Sequence, residues 1–313
     1  MDIIEVSAKE FGCVITQPYQ IFSGSAFAEL NKDKVDEVKY FLFKDGKYRL
    51  GLIAGIRNNV FYSPFSAPFG GFVFLNPDVR INLIDDAMKQ LLQWAVTQKI
   101  ESINITLPPS IYDESFIAKQ INSFFQNGFA IKVVDLNHSF ELINFNGDYV
   151  EQMNRNARRN LKIALQEDLN FFKCISIEEK KSAYEIIRRN RESKNFPLRM
   201  SWEQVENTIK IISADFFIVY DRQNIAIASA IIFHINAGIV QVIYWGDIPE
   251  YSEHKTMNFL SFKVFEYYKS IGKKIVDIGP STENAIPNYG LCEFKESIGC
   301  RVDTKFTFSK KIF

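Results

Sequence analysis

The stretch Val240-Gln-Val-Ile-Tyr-Trp-Gly-Asp247 opens the part of the chain that decides the fold. Its apolar and aromatic residues predict a strand that ends in a polar loop. An aromatic-rich helix is predicted next over 256–271, then strands over 275–278 and 304–309, with a short helix between them. The resulting order of strand, helix, strand, helix and strand indicates a domain that mixes both kinds of element.

The composition is that of an ordinary globular protein. The chain has 313 residues, 47% of them hydrophobic and 24% charged, so two domains are expected rather than one. With 29 Phe and 13 Tyr there are enough large side chains to fill two cores. Basic and acidic residues number 37 each, and this balance argues against a DNA-binding role because such proteins carry a basic excess.

The sequence shows neither a targeting segment nor a metal-binding pattern. No basic and apolar leader follows Met1, and no apolar run reaches the roughly 18 residues of a membrane span, so a cytoplasmic chain without a span is expected. The four cysteines are scattered without a Cys-x-x-Cys pair, which predicts free thiols and no metal; for Cys292 and Cys300 the alternative is a pair of metal ligands, but no His lies near them in sequence and buried thiols are the better interpretation. The four cysteines are Cys13, Cys174, Cys292 and Cys300.

The two halves of the chain repeat one pattern. In the first half, Asp45-Gly46 joins two strand patterns into a predicted hairpin, and Asn76-Pro77 is expected to open a helix that reaches residue 99. In the second half, helices are predicted over 148–168, 178–194 and 201–212 before the strands, with Ser201 as the N-cap of the third. Each half then runs through strands, one long helix and a short strand. We interpret this as a tandem duplication with domains at 1–145 and 146–313.

Two motifs carry a family resemblance. The first is Gly290-Leu-x-x-Phe-Lys-x-x-x-Gly299, and the second is the basic helix Asn154-Arg-Asn-Ala-Arg-Arg-Asn-Leu-Lys-Ile-Ala164. With the order of elements, they resemble the GNAT N-acyltransferase superfamily, in a tandem arrangement similar to the FemABX aminoacyl transferases. The resemblance implies an α/β fold (an α+β mixed sheet) of two GNAT-like domains packed side by side, the first a degenerate copy and the second active or ligand-binding.

The same resemblance implies a function. It predicts a transferase that moves an acyl or aminoacyl group from acyl-CoA or aminoacyl-tRNA onto an amine. GNAT enzymes that bind coenzyme A usually carry a glycine-rich loop before the long helix, whereas this chain has Tyr251-Ser-Glu-His-Lys-Thr-Met-Asn258, without glycine. That departure favours an alternative, a non-catalytic GNAT-like protein that binds a ligand or a partner.

Three residues are candidates for proton transfer. The resemblance implies that a strand splays from its neighbour near residues 247–256 and that a cleft opens there. Tyr244 ends the strand that enters this cleft, Asp277 lies mid-strand between two apolar residues, and His254 precedes the long helix. An amine must lose a proton to attack an acyl carbonyl, so a carboxylate, Tyr or His within reach would assist. The alternative for Asp277 is a structural, non-catalytic carboxylate that is hydrogen-bonded to its neighbours. The matching residue of the first half is Asn104, which cannot act as a base, so the second half is the better candidate.

The start of the long helix is the candidate donor-binding segment. Lys255, Thr256 and Asn258 lie there, and free amides together with the helix dipole favour an anion at such a position. A cation at a helix N-terminus is placed against local preference, which a bound anion would offset. The alternative is ordinary polarity of an exposed loop.

Five basic residues are candidates for substrate binding. Arg155, Arg158, Arg159 and Lys162 cluster on one helix face, where an anion such as phosphate or a tRNA backbone would relieve their repulsion. The alternative is a solvated surface helix. By the resemblance, Lys295 faces the substrate cleft, and its alternative is a lysine with a buried stem and an exposed head. The predicted partners are therefore a small or phosphorylated substrate, with tRNA as a second candidate.

Overall fold

The computed structural model describes every residue from Met1 to Phe313 and resolves the chain into two units. Unit 1 comprises Met1–Leu136, Glu283–Ile286 and Asp303–Phe313, and unit 2 comprises Asn137–Thr282 and Pro287–Val302. Each unit has its own buried apolar core. The last residues of the chain therefore belong to the same unit as its N-terminal part. The duplication boundary between residues 145 and 146 stays a prediction.

The regular elements follow in chain order. The strands are β1 (Asp2–Val6), β2 (Glu37–Asp45), β3 (Lys47–Arg57), β4 (Val60–Ser63), β5 (Val73–Phe74), β6 (Ser102–Thr106), β7 (Ala130–Glu141), β8 (Asn170–Lys173), β9 (Ala214–Tyr220), β10 (Ala226–His234), β11 (Ile239–Asp247), β12 (Ile275–Pro280), β13 (Thr282–Glu283), β14 (Ile286–Pro287) and β15 (Arg301–Lys311). The helices are α1 (Ala8–Val14), α2 (Ser25–Leu30), α3 (Ile81–Thr97), α4 (Glu114–Gln126), α5 (Tyr149–Gln152), α6 (Arg155–Ala164), α7 (Ile177–Ser193), α8 (Trp202–Ile209), α9 (Thr256–Ser270) and α10 (Tyr289–Ser297).

In unit 1 the strands lie in the order β1-β2-β3-β4-β6-β15, with β5 beside β3. The pair β4–β6 is parallel and its neighbours are antiparallel. The predicted β2–β3 hairpin is present, and Gly46 at its turn has φ +66°, a conformation that glycine adopts at no steric cost. One face of α3 packs its apolar residues, among them Ala87, Leu91 and Ala95, into the core of this unit.

In unit 2 the order is β8-β9-β10-β11-β12, followed by the C-terminal part of β7. Here β11–β12 is the parallel pair and the other neighbours are antiparallel. Unit 2 thus repeats the strand order of unit 1, with one parallel pair flanked by antiparallel strands. The mixed α/β fold class predicted from the sequence is confirmed.

The core of unit 2 lies between its strands and α9. Leu260, Val264 and Phe265 are fully buried there, and the ring of Phe265 stacks on Phe140 of β7 with centroids 4.1 Å apart. Aromatic residues bury large areas and prefer such offset contacts. Phe265 therefore helps to pack α9 against β7. None of the helices combines the length and apolar character that a membrane crossing needs.

Two local predictions were wrong. The single helix expected over 148–168 is two helices, because the chain becomes extended at Met153 and Asn154 restarts it as an N-cap whose side chain accepts the amide of Asn156. The helix expected to open at Asn76-Pro77 begins at Ile81 instead. The side chain of Asn76 accepts the amide of Asp78, which makes a local turn rather than a cap.

The helices α1 and α2 were missed altogether. A sequence signal for α1 was present, since Ser7 and Glu10 form a capping box in which each side chain accepts the other residue's amide. The helix is seven residues long, too short for a clear apolar period. The same box appears at Ser176 for α7 and at Ser201 for α8, and the predicted cap at Ser201 is confirmed.

Candidate functional site

Two parallel strands of unit 2 separate in the middle of the sheet. Pairing between β11 and β12 covers only Ile239–Gln241 opposite Ile275–Asp277, although both strands continue beyond it. A bulge in the β10–β11 ladder leaves Ile243 without an opposite residue just past this point. The edges of β11 and β12 that face each other therefore stop exchanging backbone hydrogen bonds, which creates an opening that we call the splay.

Asp277 lies at the closed end of the splay and is fully buried. Its Oδ1 accepts the side-chain amide of Asn137 at 2.7 Å and the backbone amide of Gly279 at 2.9 Å. Its Oδ2 accepts the side-chain amide of Gln241 at 2.7 Å. A buried carboxylate needs such donors to remain charged away from water. The arrangement thus presents an oriented carboxyl group at the point where the strands part.

Two polar atoms beside Asp277 have no hydrogen-bond partner. They are Oε1 of Gln241 and Oγ of Ser139, and both residues are almost completely buried. The register places Ser139 and Gln241 on either side of Asp277, in the neighbouring strands. Unpaired buried polar atoms are rare in folded proteins and often mark sites where water or a ligand binds.

Lys295 holds the end of β12 that diverges from β11. Its ammonium, 2% exposed, donates to the backbone carbonyls of Ile278, Gly279 and Pro280 at 2.9–3.0 Å. Burial lowers the pKa of Lys295 to about 8 because the charged form loses its hydration, although the nearby Asp277 favours the charged form. The predicted substrate-binding lysine is thus engaged with the strand rather than snorkelling to solvent. The preceding Phe294 packs on the core, 6.2 Å from the ring of Trp245.

Tyr244 lies on β11 beyond the bulge and is buried. Burial raises its pKa, and Arg191 with the backbone at Arg199 and Met200 offsets only part of that rise. The Arg191 guanidinium carbon lies 5.6 Å from the centroid of the Tyr244 ring and 6.0 Å from that of Phe196. The tyrosine therefore keeps its proton at neutral pH beneath a guanidinium group.

Arg191 was missed by the sequence analysis, although a signal for it existed. It lies in the last turn of α7, and no acidic residue stands three or four positions away from it. The position of α7 is set by Asn190, whose side chain donates to the backbone carbonyl of Asp247 at 2.6 Å and covers Gly246. A β-carbon at Gly246 would lie 2.5 Å from Asn190, so glycine permits this close approach.

The residue that precedes α9 has an unusual backbone conformation. Lys255 adopts a left-handed conformation with φ +54° and caps the helix without a side-chain bond. Thr256 and Asn258 are buried in the first turn. Nδ1 of His254 lies 2.9 Å from Oε2 of Glu167 and makes no hydrogen bond to Asp277 or Tyr244. The structure thus separates His254 from the other two candidate proton-transfer groups.

The predicted basic residues of α6 form an exposed surface, with Arg158 only partly exposed. The opposite face of the helix, Ala157, Leu161 and Ala164, is buried in the core. No carboxylate lies within 4.0 Å of the charged groups of Arg155, Arg158, Arg159 and Lys162, and Arg158 donates to the carbonyl of Glu151. These four residues therefore offer unpaired positive charge to solvent.

The remaining candidates are the four cysteines. All four cysteines are free, and only Cys174 and Cys300 are buried. Burial raises the pKa of both thiols, so neither is a reactive thiolate. No group of three or more His, Cys, Asp or Glu side chains is arranged to hold a metal ion.

No protein-family model matches the sequence, and no curated protein matches it. The fold, however, is similar to several solved structures. FemX aligns with 99% of this chain and 97% of its own, with a TM-score of 0.72 and 12% identity. L-PGS from Bacillus licheniformis aligns with 98% of this chain and 93% of its own, with a TM-score of 0.64 and 12% identity.

A third similar structure is that of a protein described as a tandem GNAT protein. The tandem GNAT protein from the clavulanic acid biosynthesis pathway aligns with 100% of this chain and 98% of its own, with a TM-score of 0.55 and 9% identity. At such identities the likeness establishes the fold alone. The chain therefore has a GNAT-like fold similar to that of FemX and of the tandem GNAT protein, as its order of elements predicted.

Proposed function

We propose that unit 2 carries a transferase site that moves an acyl or aminoacyl group from an activated donor onto an amine. The observation that carries the proposal is the splay, where β11 and β12 part at Gln241 and Asp277. An unpaired strand edge offers amides and carbonyls to an extended donor, as an added strand would. A buried, oriented carboxylate stands at its closed end.

The reaction joins two substrates directly. The amine nitrogen attacks the carbonyl carbon of an ester or thioester, a C–N bond forms, and the bond to the oxygen or sulfur of the leaving group breaks. Asp277 accepts the proton that the amine loses, since Asn137 and Gln241 hold its carboxylate in place. Tyr244 keeps its proton at neutral pH because burial raises its pKa, so it supplies the proton of the leaving group.

The donor is acyl-CoA or aminoacyl-tRNA in this proposal. Both carry phosphate, which the N-terminal end of α9, where Lys255, Thr256 and Asn258 lie, would attract through the helix dipole and the charge of Lys255. The unpaired cations of α6 would add to the binding of a long polyanion. The proposed role of Lys295 is to hold β12 in its diverging course, and the role of His254 as a proton shuttle stays a prediction.

Thermal denaturation with a panel of donors tests the proposal. Acetyl-CoA, longer acyl-CoAs and tRNA are added separately, and a ligand of the folded state at a hundredfold excess over its Kd should raise Tm by about 5 °C. A rise with a thioester or with tRNA is the expected result. If none of them raises Tm and none forms an amide with any amine tested, the transferase proposal is wrong.

A second function has one observation in its favour. Residues 251–258 contain no glycine, whereas CoA-binding GNAT enzymes usually have a glycine-rich loop there. A non-catalytic GNAT-like protein would bind a ligand or partner at the splay without turning it over. The same donors separate the two functions, because binding without any amide product would favour this second one.

A further inference from the structure

Arg191 has an environment unlike that of the other arginines on its helix. Its guanidinium is half-buried between the rings of Tyr244 and Phe196, with its central carbon 5.6 Å and 6.0 Å from their centroids. The Nε atom is buried and has no hydrogen-bond partner. Stacking on aromatic rings holds the plane of a guanidinium but leaves its N–H groups unused. The side chain is therefore oriented and its Nε donor is free.

Arg188, one turn earlier on α7, shows how an arginine of this helix is normally satisfied. It donates to Glu185 and Glu192 at 2.7 Å each, in the solvent-exposed part of the helix. No carboxylate lies within 4.0 Å of Arg191, although Arg191 is the more buried of the two. A buried arginine is rarely left without an anionic partner, since its desolvation is costly unless it is paired.

The surrounding charge is positive rather than compensating. Burial lowers the pKa of the Arg191 guanidinium, Tyr244 offsets part of that shift, and the nearby Arg199 lowers the pKa further. The ammonium of Lys295 is also close enough to interact with Arg191 electrostatically, and its protons are directed at three backbone carbonyls. An anion that reached the Tyr244 end of the splay would meet positive charge with a free, oriented N–H group.

We propose that Arg191 binds an oxyanion, a carboxylate or a phosphate, on the substrate that enters the splay. Its fork of N–H groups matches the planar pair of oxygens of either group, and the ring of Tyr244 keeps the fork in one orientation. This assignment of substrate class rests on the proposed function, because the transferase site supplies the substrate. The binding of an oxyanion by Arg191 is nevertheless measurable without any transfer reaction.

The experiment follows the Nε–H resonances of the arginines in a ¹H–¹⁵N spectrum of the full chain. The Arg191 signal is assigned by its loss in Arg191→Lys, and the Arg188 signal, from the ion-paired arginine, is the matched control. Sodium phosphate and sodium acetate are titrated separately at constant ionic strength. The expected result is a saturable shift of the Arg191 signal with a Kd on the order of 1–10 mM, while the Arg188 signal stays in place.

The two salts also separate the sources of the oxyanion. Saturation by phosphate alone assigns a phosphorylated substrate, and saturation by acetate assigns a carboxylate. Arg191→Lys, which keeps the charge but loses the fork, should weaken the same binding at least about tenfold when followed by calorimetry. Equal shifts of Arg188 and Arg191, or no saturable shift of Arg191 with either salt, would overturn the proposal. A failure of amide formation leaves this result unaffected, so the two proposals fail independently.

Discussion

Replacing Lys295 by Met tests whether its ammonium is as buried and as tightly held as the structure shows. The side chain is 2% exposed, and its ammonium donates to the backbone carbonyls of three consecutive residues of β12, Ile278, Gly279 and Pro280. Met has a similar volume but donates nothing, so the variant leaves those carbonyls unpaired. We expect the variant to be less stable than the natural chain at neutral pH, because unpaired buried carbonyls carry a desolvation cost.

The pH dependence of the free energy of unfolding gives a more specific prediction than its value at one pH. The pKa of Lys295 is about 8 in the folded chain and 10.5 ordinarily, so between these values the unfolded chain holds a proton that the folded chain has released. The free energy of unfolding of the natural chain therefore rises through this window, and the Met variant lacks that rise. Between about pH 7 and about pH 9.5 the stability difference between the two should grow by about 2 kcal/mol.

Urea denaturation at the two pH values, followed by tryptophan fluorescence, measures this difference. Trp245 packs 6.2 Å from Phe294, the neighbour of Lys295, and reports on this part of unit 2. Lys263→Met is the control, since Lys263 is only partly buried and pairs with Glu266 on the surface of α9. A Lys295→Met difference that stays constant with pH would refute the buried, titrating ammonium.

Three further predictions concern other parts of unit 2. Burial alone would raise the pKa of Asp215, but hydrogen bonds, led by that from His234, hold it at about 2. The stability that these bonds supply is complete above the ordinary pKa of 3.8 and is lost as pH falls toward 2. In acid titrations, Asp215→Asn should therefore remove about 2 kcal/mol of the pH dependence of the free energy of unfolding. Gly246→Ala would set a β-carbon 2.5 Å from Asn190 and should cost about 1–3 kcal/mol in urea unfolding, and an unchanged midpoint would show that α7 can move away. Arg159→Glu on α6 should weaken tRNA binding and reduce its salt dependence by about one unit of slope or more, whereas equal binding by the variant would exclude α6 from the contact.

The parts of the fold that the sequence predicted well are those with local causes. The β2–β3 hairpin follows from Asp45-Gly46 and two flanking apolar runs, and the cap at Ser201 follows from a residue pattern four positions long. Both depend on neighbours in sequence. The break between α5 and α6 also has a local cause, the cap at Asn154, but the apolar period continues across it and hid the interruption.

The site was predictable only in part, because its partners come from distant positions. Asp277 was recognised as a carboxylate within an apolar strand, yet its donor Asn137 lies 140 residues earlier in the chain. No pattern within one strand could supply that pairing, and it depends on the antiparallel register of β7 and β12. The splay entered only through the family resemblance, since the end of a ladder has no sequence signature of its own.

The contacts of the charged residues were also beyond what local sequence patterns could predict. Lys295 was selected for its place in a motif, but the sequence could not show that its ammonium turns toward three backbone carbonyls. Arg191 was visible as an arginine without an acidic neighbour at helical spacing, and only the packing of α7 on β11 places it over Tyr244. Sequence spacing thus identifies unpaired charge, whereas the fold decides where that charge is directed.

The most direct test of the central claim is amide formation by the natural chain and by Asp277→Asn, followed by mass spectrometry with acyl-CoAs and aminoacyl-tRNA as donors and a panel of amines. Asn preserves the size of Asp277 but cannot take a proton, so we expect the product of the natural chain to fall at least about 100-fold while circular dichroism stays the same. Product formed at the natural rate by a folded Asp277→Asn variant would contradict the role of Asp277 at the splay.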